Sequence, residues 1–348
     1  MSQTADDGPV GPVTPTEPRR ARPRRRVWRR VLIAVAAVVV VALVGAGAYA
    51  WNIDRQITSN IHRGIELTPD TPTPGAPSSS PSAEQPRATG VLNYVLLGSD
   101  SRDEADPADG RSDTIMVVHL NKKRTNAYIT SFPRDMYVNI PGYGRDKINA
   151  AYELGGPALT VKTLEELTGA KMNHVVVVNF DGFIDLTTDL GGVTVPNKTA
   201  FSSHGYDYPK GKVKIEGKKA LWFVRERHSL PGGDLDRAEN QRNVIKAIVA
   251  KGLSAGVVSD PAQFSSFVGN LSKHLTVDNG LSDSEIRSTA LSLRLDANDI
   301  QLLQAPLAGF GTANGQSIDV VDTAKMAELG KALKDDEMAA YLAKYPQG

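Results

Sequence analysis

The sequence predicts an α/β fold: a three-layer α-β-α sandwich built on a mixed central sheet and preceded by a single transmembrane helix. Three observations lead to this prediction. Short apolar and β-branched runs alternate with helical patterns along residues 90–348. One of these runs, at 174–180, is continuously apolar, as in strands that are buried on both faces. Residues 31–50 carry no charged side chain.

The first predicted element is a membrane span. Its sequence, VLIAVAAVVVVALVGAGAYA, matches the roughly 20 helical residues that cross a hydrocarbon core. A cleaved secretory signal is the alternative, but the apolar run is long and its small-residue end is a loose cleavage site. We therefore predict a transmembrane helix at 31–51, with Trp28 and Trp51 at the two membrane interfaces.

Residues 1–30 form an arginine-rich tail whose densest part is RRARPRRRVWRR. By the positive-inside rule this tail is cytoplasmic, so the chain is expected to be a single-pass protein of the cell membrane with an extracytoplasmic domain. Arginine-rich runs also bind nucleic acid. Because this run directly precedes an apolar span, we interpret it as a topology signal that contacts anionic lipid, and we expect no nucleic-acid partner.

The external part divides into a linker and one domain. Residues 52–89 are rich in Pro, Ser and Thr and show no hydrophobic periodicity, which predicts a semi-extended extracytoplasmic linker. Residues 90–348 contain no internal repeat and are predicted to form a single catalytic domain. The whole chain is 41% hydrophobic, enough for a substantial core. It has no cysteine, which excludes disulfides, thiolate metal sites and thiol nucleophiles.

Within the domain, strands are predicted where short apolar runs lie between turn residues. They cover 91–97, 114–120, 126–132 and 174–180, with NKKRT as a tight turn between the second and the third. Helices are predicted in PALTVKTLEELTG, FDGFIDLTTDLGG, DRAENQRNVIKAIVAKG, DPAQFSSFVGNLSKHL and DTAKMAELGKALKDDEMAAYLAKY. These helices are sufficient to cover both faces of a sheet.

The loop GSDSRDEADPADGRSDT, between the first two strands, is the first candidate site. If these strands are antiparallel neighbours, Asp100 and Asp113 lie at the same edge of the sheet. The third strand returns to that edge. We therefore expect a cluster of charged side chains at this edge. Besides the two aspartates it contains Arg134 and Asp135, at the end of the third strand, and Arg102 and Arg111, within the loop.

This combination of side chains favours phosphate chemistry. Two aspartates without nearby His or Cys suit a hard cation such as Mg²⁺, which takes one or two carboxylates together with phosphate oxygens and water. A planar guanidinium donates two parallel hydrogen bonds to phosphate oxygens. Positioning and charge neutralisation do most of the work in phosphoryl transfer. For the loop alone, a set of surface ion pairs is the equally weighted alternative.

A second cluster lies in LWFVRERHSLPGGDLDRAENQR. Arg237 and Gln241 are four residues apart, so they share one face of a helix that Asp234 or Asp236 can cap. Two more arginines, Arg225 and Arg227, point the same way only if their segment is extended. We therefore predict that the helix in EGKKALWFV ends at about Arg225. His228 could act as a general base, but a single loop histidine is more often solvent-exposed or structural.

These segments, GSDSR…GRSDT, SFPRD, KINAAYELGG, VNFDGFIDLTTDLGGV and LWFVRERH…DLDRAENQR, closely resemble the LytR-CpsA-Psr family of wall-polymer ligases. The resemblance covers residues 91 to about 245. It implies an α-β-α domain whose sheet and helices enclose an apolar tunnel for a polyprenyl chain, with a pyrophosphate at the charged mouth. It also implies transfer of a phosphoglycan, such as a teichoic acid or another secondary wall polymer, from a polyprenyl-pyrophosphate donor to a hydroxyl of peptidoglycan.

The resemblance also assigns roles to individual residues. Asp100 and Asp113 would hold Mg²⁺ or Mn²⁺ against the pyrophosphate. The phosphates would be bound by Arg111, Arg134, Arg225, Arg227, Arg237 and Gln241, with Arg102 as a weaker contact. By position, Asp135 or Asp113 would accept the proton of the attacking hydroxyl. Two other functions remain open, a polyprenyl-pyrophosphate hydrolase and a non-catalytic lipid-binding regulator of the envelope.

Overall fold

A computed structural model of the protein describes residues 60–67, 90–100, 110–254, 257 and 260–347. The predicted cytoplasmic tail 1–30, the predicted membrane span 31–51 and Arg102 all lie outside these residues. Within the described part of the chain, no helix has the length and apolarity needed to cross a bilayer.

The described strands are β1 (His62–Ile65), β2 (Leu92–Ser99), β3 (Ser112–Leu120), β4 (Ala127–Ser131), β5 (Tyr137–Ile140), β6 (Gly144–Lys147), β7 (His174–Asn179), β8 (Val193–Asn197), β9 (Phe201–Ser203), β10 (Tyr206–Tyr208), β11 (Gly211–Ile215), β12 (Thr276–Asp278), β13 (Ile300–Gln304), β14 (Leu307–Ala313) and β15 (Gln316–Val321). Seven of them form the central sheet, in the order β1-β12-β7-β2-β3-β4-β13. The four strands predicted from the sequence are confirmed as β2, β3, β4 and β7. They form the middle of this sheet.

The sheet is mixed, as predicted. Strand β2 is antiparallel to β3, and β3 is antiparallel to β4, which gives the expected meander. Strand β7 runs parallel to β2 on the other side, and β13 runs parallel to β4. Three strand ends, those of β2, β4 and β7, therefore meet at one edge of the sheet together with the start of β3.

The described helices are α1 (Ala150–Thr168), α2 (Phe180–Asp189), α3 (Gly217–Arg225), α4 (Asp234–Gly252), α5 (Pro261–Lys273), α6 (Asp283–Ser292), α7 (Thr323–Asp335) and α8 (Met338–Lys344). Each predicted helical segment is helical. The last of them is divided into α7 and α8, because Asp336 adopts a left-handed conformation with φ 67°. Its carboxylate accepts the backbone N–H of Lys122 at 3.2 Å, a contact that helical spacing does not reveal.

Helices cover both faces of the sheet, because its strands bury alternate residues on opposite sides. Val95 and Leu97 of β2 share a core with side chains of α1, α7 and α8. On the other face, Met116 and Ile129 form a core with Ile245 and further side chains of α4. Helices α2, α3 and α4 also share a third core with the β8–β11 hairpins.

Strand β1 corrects the predicted linker at 52–89. Residues 62–65 belong to the sheet, where β1 pairs in parallel with β12. Only Ile65 of this strand is buried, so the segment HRGI carries no alternating pattern that could have predicted a strand. Its place in the sheet depends on backbone hydrogen bonds to a distant part of the chain, which almost any sequence can make.

Candidate functional site

A cavity of about 440 Å³ opens at the sheet edge where β2, β4 and β7 end. Its apolar wall comes from the sheet and from α2, α3 and α4, and consists of Leu96, Leu97, Val178, Phe183, Leu186, Leu221, Val224, Val244, Ile245 and Ile248. Its charged residues include Asp113, Arg134, Arg225, Glu226, Arg227 and Arg237. The cavity therefore combines an apolar lining with a cluster of guanidinium groups, in a volume typical of ligand sites.

The strand register brings the two predicted metal ligands to the same sheet edge. Ser99 of β2 pairs with Ser112 of β3, so Asp100 follows one strand and Asp113 lies at the start of the other. The backbone N–H of Asp100 donates to the carbonyl of Arg111 at 3.1 Å. The Asp100 carboxylate in turn accepts the N–H of Arg111 at 2.5 Å. These two bonds close the base of the predicted loop.

Arg134, at the end of β4, lies among carboxylates. Its Nη1 donates to Asp113 Oδ1 at 2.8 Å. Its Nε lies 3.2 Å from Asp234 and 3.6 Å from Asp135. Burial lowers the pKa of Arg134, but the hydrogen bond with Asp113 and the three negative charges outweigh it, and the pKa lies above its ordinary value. The guanidinium therefore stays fully charged.

The charge state of Asp113 is also fixed by its neighbours. Burial raises the pKa of this carboxyl, but the hydrogen bond and charge of Arg134, with the charges of Arg237 and Arg227, lower it below its ordinary value. Asp113 is consequently ionised at neutral pH and is available as an oxygen ligand.

Arg237 and Gln241 lie on the predicted shared face of α4, and both are buried. Arg237 Nη2 is 2.7 Å from Asp234, and Nη1 is 3.8 Å from Asp113. Its Nε is buried without a hydrogen-bond partner. Gln241 Nε2 donates to the carbonyl of Val224 at 3.2 Å, which ties α4 to the last turn of α3. An unpartnered buried N–H group in a residue that lines a cavity is suited to an anionic ligand.

Helix α3 ends at Arg225, as predicted, since Glu226 is extended with φ −66° and ψ 133°. Glu226 accepts the N–H groups of Arg227 and Ser229, each at 3.0 Å, and so shapes the following turn. The Arg225 guanidinium carbon lies 4.4 Å from the centre of the Phe180 ring and 5.2 Å from that of Trp222. These cation–π contacts hold Arg225 at the cavity.

Asp234 is a site residue that sequence reasoning placed in another role. It does not cap α4, whose N-cap is Gly233 with φ 56°. Its carboxylate instead contacts Arg134, Arg237 and, at 3.9 Å, Arg227. One carboxylate thus gathers three of the predicted phosphate-binding arginines. The i, i+3 spacing could have suggested the pair with Arg237, whereas no spacing rule connects Asp234 to Arg134, which lies on a distant segment.

A second group of residues missed from the sequence lies beside Asp135. Lys147 of β6 binds the Asp135 carboxylate at 2.8 Å. Asp319 of β15 donates its backbone N–H to the carbonyl of Asp135 at 2.9 Å. The Asp319 side chain is buried. Burial, with the charges of Asp135 and Asp234, raises the pKa of its carboxyl to about 6. The charges of Lys147 and Arg134 oppose this rise but do not cancel it.

Two predicted residues are placed differently. The Arg111 side chain is 68% exposed and lies 3.9 Å from Glu153, so it does not line the cavity. Asp100 is exposed and also lies outside the cavity wall. Arg111 directly precedes β3, and its guanidinium forms an ion pair with Glu153 of α1.

The donor set suits a hard cation that shares its coordination with a ligand. No group of three or more His, Cys, Asp or Glu side chains that could hold a metal by itself occurs among the described residues. Asp113 supplies a carboxylate beside arginines that can bind phosphate, and Asp100 supplies a second carboxylate at the same sheet edge, outside the cavity wall. Mg²⁺ often uses one or two carboxylates and takes its other oxygens from phosphate and water. The residues present fit this arrangement.

Comparison with known proteins places this geometry in a family. Residues 64–335 match the LytR_cpsA_psr family. The chain belongs to this family. It is 31% identical over 306 residues to the polyisoprenyl-teichoic acid–peptidoglycan teichoic acid transferase TagU of Enterococcus faecalis, covering 88% of this chain and 95% of that protein. The identity to TagU of Bacillus subtilis is 30% over 318 residues, covering 90% and 97%.

Solved structures agree with this assignment. Bacillus subtilis TagV superposes with a TM-score of 0.62 at 25% identity, covering 72% of this chain and 98% of that one. TagT bound to LI-WTA superposes with a TM-score of 0.57 at 28% identity, covering 74% and 95%. The predicted family, the mixed α/β fold and the transferase class are confirmed.

Proposed function

We propose that this chain transfers a phosphoglycan from a polyprenyl-pyrophosphate carrier to a hydroxyl group of peptidoglycan. The proposal rests on one observation: a single cavity has apolar walls and carries four arginines at one end. These are Arg134, Arg225, Arg227 and Arg237. An isoprenoid chain needs apolar walls, and its pyrophosphate head needs several fixed positive charges. The relatives named above are teichoic acid transferases, which supports a wall polymer as the cargo.

The arginines would stabilise the charge that moves during transfer. As the bond between the glycan phosphate and the lipid phosphate breaks, negative charge develops on the departing polyprenyl phosphate. Arg134 and Arg237 are already held in place by Asp113 and Asp234, so their guanidinium groups need little reorganisation. Preorganised charge of this kind is usually the largest contribution to catalysis.

Asp100 and Asp113 would hold Mg²⁺ or Mn²⁺ beside the pyrophosphate. When bound, such an ion neutralises phosphate oxygens and helps to orient them. The proton of the acceptor hydroxyl requires a carboxylate close to the arginines. Asp135, held by Lys147 at 2.8 Å and lying 3.6 Å from Arg134 Nε, has that position.

We also propose that the chain is anchored in the cell membrane by residues 31–51, with its domain on the outer side. The uncharged 20-residue stretch and the arginine-rich tail before it support this arrangement. A tethered domain would meet a lipid-linked donor at the membrane surface. Because ATP is absent there, the energy for transfer would come from the pyrophosphate bond of the donor.

The test is transfer in vitro from a polyprenyl-pyrophosphate glycan to peptidoglycan, with products analysed in the presence and absence of acceptor. Arg134→Ala should reduce transfer by a factor of about 100 or more, the scale of losing one preorganised charge. Arg145→Ala is the matched control, since this exposed arginine stacks on Tyr137 at 4.8 Å and should leave transfer unchanged. Depletion of divalent cations should abolish transfer until Mg²⁺ is restored.

The products also separate the other two functions. Release of free glycan phosphate with no attachment to peptidoglycan would indicate a hydrolase. Lipid binding without turnover in the wild-type chain would indicate a regulator. Undiminished transfer by Arg134→Ala would refute the assignment of this site.

A further inference from the structure

The β14–β15 hairpin is a regularly paired element close to the candidate site. Its two-residue turn, Asn314–Gly315, has positive φ at both positions, 53° and 75°. This is the type I′ geometry that matches the natural twist of a two-stranded ribbon. The two strands pair in regular antiparallel register from Gly309 to Ala313. The hairpin therefore presents a fixed surface.

One edge of this hairpin lies along the segment that follows Arg134. The backbone N–H of Asp319 donates to the carbonyl of Asp135 at 2.9 Å. Asp319 also forms an isolated parallel bridge with Met136. The charges of Asp135, Asp234, Lys147 and Arg134 act on the buried Asp319 carboxyl, which supports the same placement. The hairpin thus lies beside the segment that directly follows Arg134, a residue of the cavity wall.

The face of the hairpin that carries Asp319 also carries an exposed aromatic ring. Phe310 pairs directly with Asp319, so the two side chains project from the same face with their Cβ atoms roughly 5 Å apart. Asp319 is 8% exposed, whereas Phe310 is 71% exposed. The next pair on this face, Thr312 and Ser317, is also exposed and carries hydroxyl groups. An open phenyl ring is therefore flanked by two hydroxyls.

This surface has the chemistry of a carbohydrate site. One side of a pyranose ring carries aliphatic C–H groups that pack on an aromatic face, and its hydroxyls exchange hydrogen bonds with Ser and Thr. The hairpin sequence LAGFGTANGQSIDVV contains no Lys or Arg. A surface that docks on anionic lipid or on a polyanionic glycan would be expected to carry them. The composition favours a neutral glycan backbone.

We propose that this face of the β14–β15 hairpin binds the acceptor glycan, with Phe310 as the platform for a sugar ring of peptidoglycan. The inference rests on the proposed function and adds the place from which the acceptor enters. A strand seated on Phe310 would present its hydroxyl groups next to Asp135 and Arg134. The isoprenoid donor would approach the same arginines from the apolar cavity, on the other side.

The test compares Phe310→Ala with Leu291→Ala in the full chain. Leu291 is a matched control, because it is a large apolar side chain that is 77% exposed on α6. Phe310→Ala should raise KM for soluble, peptide-free peptidoglycan strands at least five-fold, with KM for the lipid-linked donor unchanged. Leu291→Ala should change neither. A KM for the acceptor equal to that of the wild type, or an equal rise of both KM values, would overturn the inference.

Binding without turnover separates this inference from the proposed function. The same peptidoglycan strands are titrated into each protein in the absence of donor. Phe310→Ala and the double variant Thr312→Ala/Ser317→Ala should both weaken binding several-fold, whereas Leu291→Ala should not. If the wild type binds the strands through Phe310 but transfers nothing, the proposed function fails and the acceptor surface stands. If all variants bind alike, the acceptor surface is wrong whatever the activity.

Discussion

Replacement of Asp319 by Asn should stabilise the protein at neutral pH. The Asp319 carboxyl is buried beside Asp135 and Asp234, and its pKa is about 6 instead of the ordinary 3.8. A raised pKa means that the folded protein holds this proton more tightly than the unfolded chain does. The contribution of Asp319 to stability is therefore most favourable below pH 3.8, and it becomes less favourable as the pH rises to about 6.

The magnitude follows from the difference between these two pKa values. At about 1.4 kcal/mol for each pH unit, the ionised carboxyl costs at most about 3 kcal/mol of unfolding free energy at pH 7. Because solvent and relaxation around the ionised carboxyl screen part of this cost, we expect about half of it. Asn has the same shape and no charge, so Asp319→Asn should gain about 1.5 kcal/mol at pH 7.

The assay is urea unfolding of both proteins at pH values from 4 to 8. The difference in unfolding free energy should be small near pH 4, grow up to about pH 6 and then remain constant. Asp335→Asn is the control, since Asp335 lies on the exposed side of α7 with Lys331 3.3 Å away and should change little at any pH. A variant less stable than the wild type at pH 7, or a difference independent of pH, would refute the reasoning.

Three further predictions concern other parts of the chain. A methyl group at Gly330 of α7 would lie 1.7 Å from the carbonyl oxygen of Thr168. Gly330→Ala should therefore lower the free energy of unfolding, measured in urea, by at least about 2 kcal/mol. An unchanged urea midpoint would contradict this close helix contact. Burial lowers the pKa of His174, but its hydrogen bonds and the charges of Asp278 and Glu285 raise it above 6.5. The stabilising contribution of His174 is therefore complete below pH 6.5 and is lost as the pH rises through the folded pKa. The wild type should lose this part of its unfolding free energy above pH 6.5, whereas His174→Gln should not. Glu226→Ala should reduce transfer about ten-fold by freeing the turn that carries Arg227. Glu226→Gln should retain most of the activity, because its amide oxygen can accept the same N–H groups. Equal loss of transfer in both variants would contradict this positioning role.

Several features of the site could be predicted because they depend on local spacing. The end of α3 at Arg225 and the shared face of Arg237 and Gln241 follow from the periodicities of a strand and a helix. The meeting of Asp113 and Arg134 follows from the short turn between β3 and β4, which makes these neighbouring strands antiparallel. The turn at Asn314–Gly315 is different, since Asn-Gly is a strong hairpin signal that the sequence-based prediction did not use.

The sequence by itself therefore determined the central strands, the main helices, the arginine-rich ends of two elements and the family of this protein. These features depend on side-chain periodicity, turn residues and motif order, all of which are written within short segments. Only the tertiary structure decided that Asp234 gathers three arginines, that Arg111 turns away from the cavity and that Asp319 lies beside Asp135. Apart from Arg237 and Arg227, which lie three and seven residues from Asp234, the partners are distant in the chain. A contact between distant segments depends on how all the intervening elements pack.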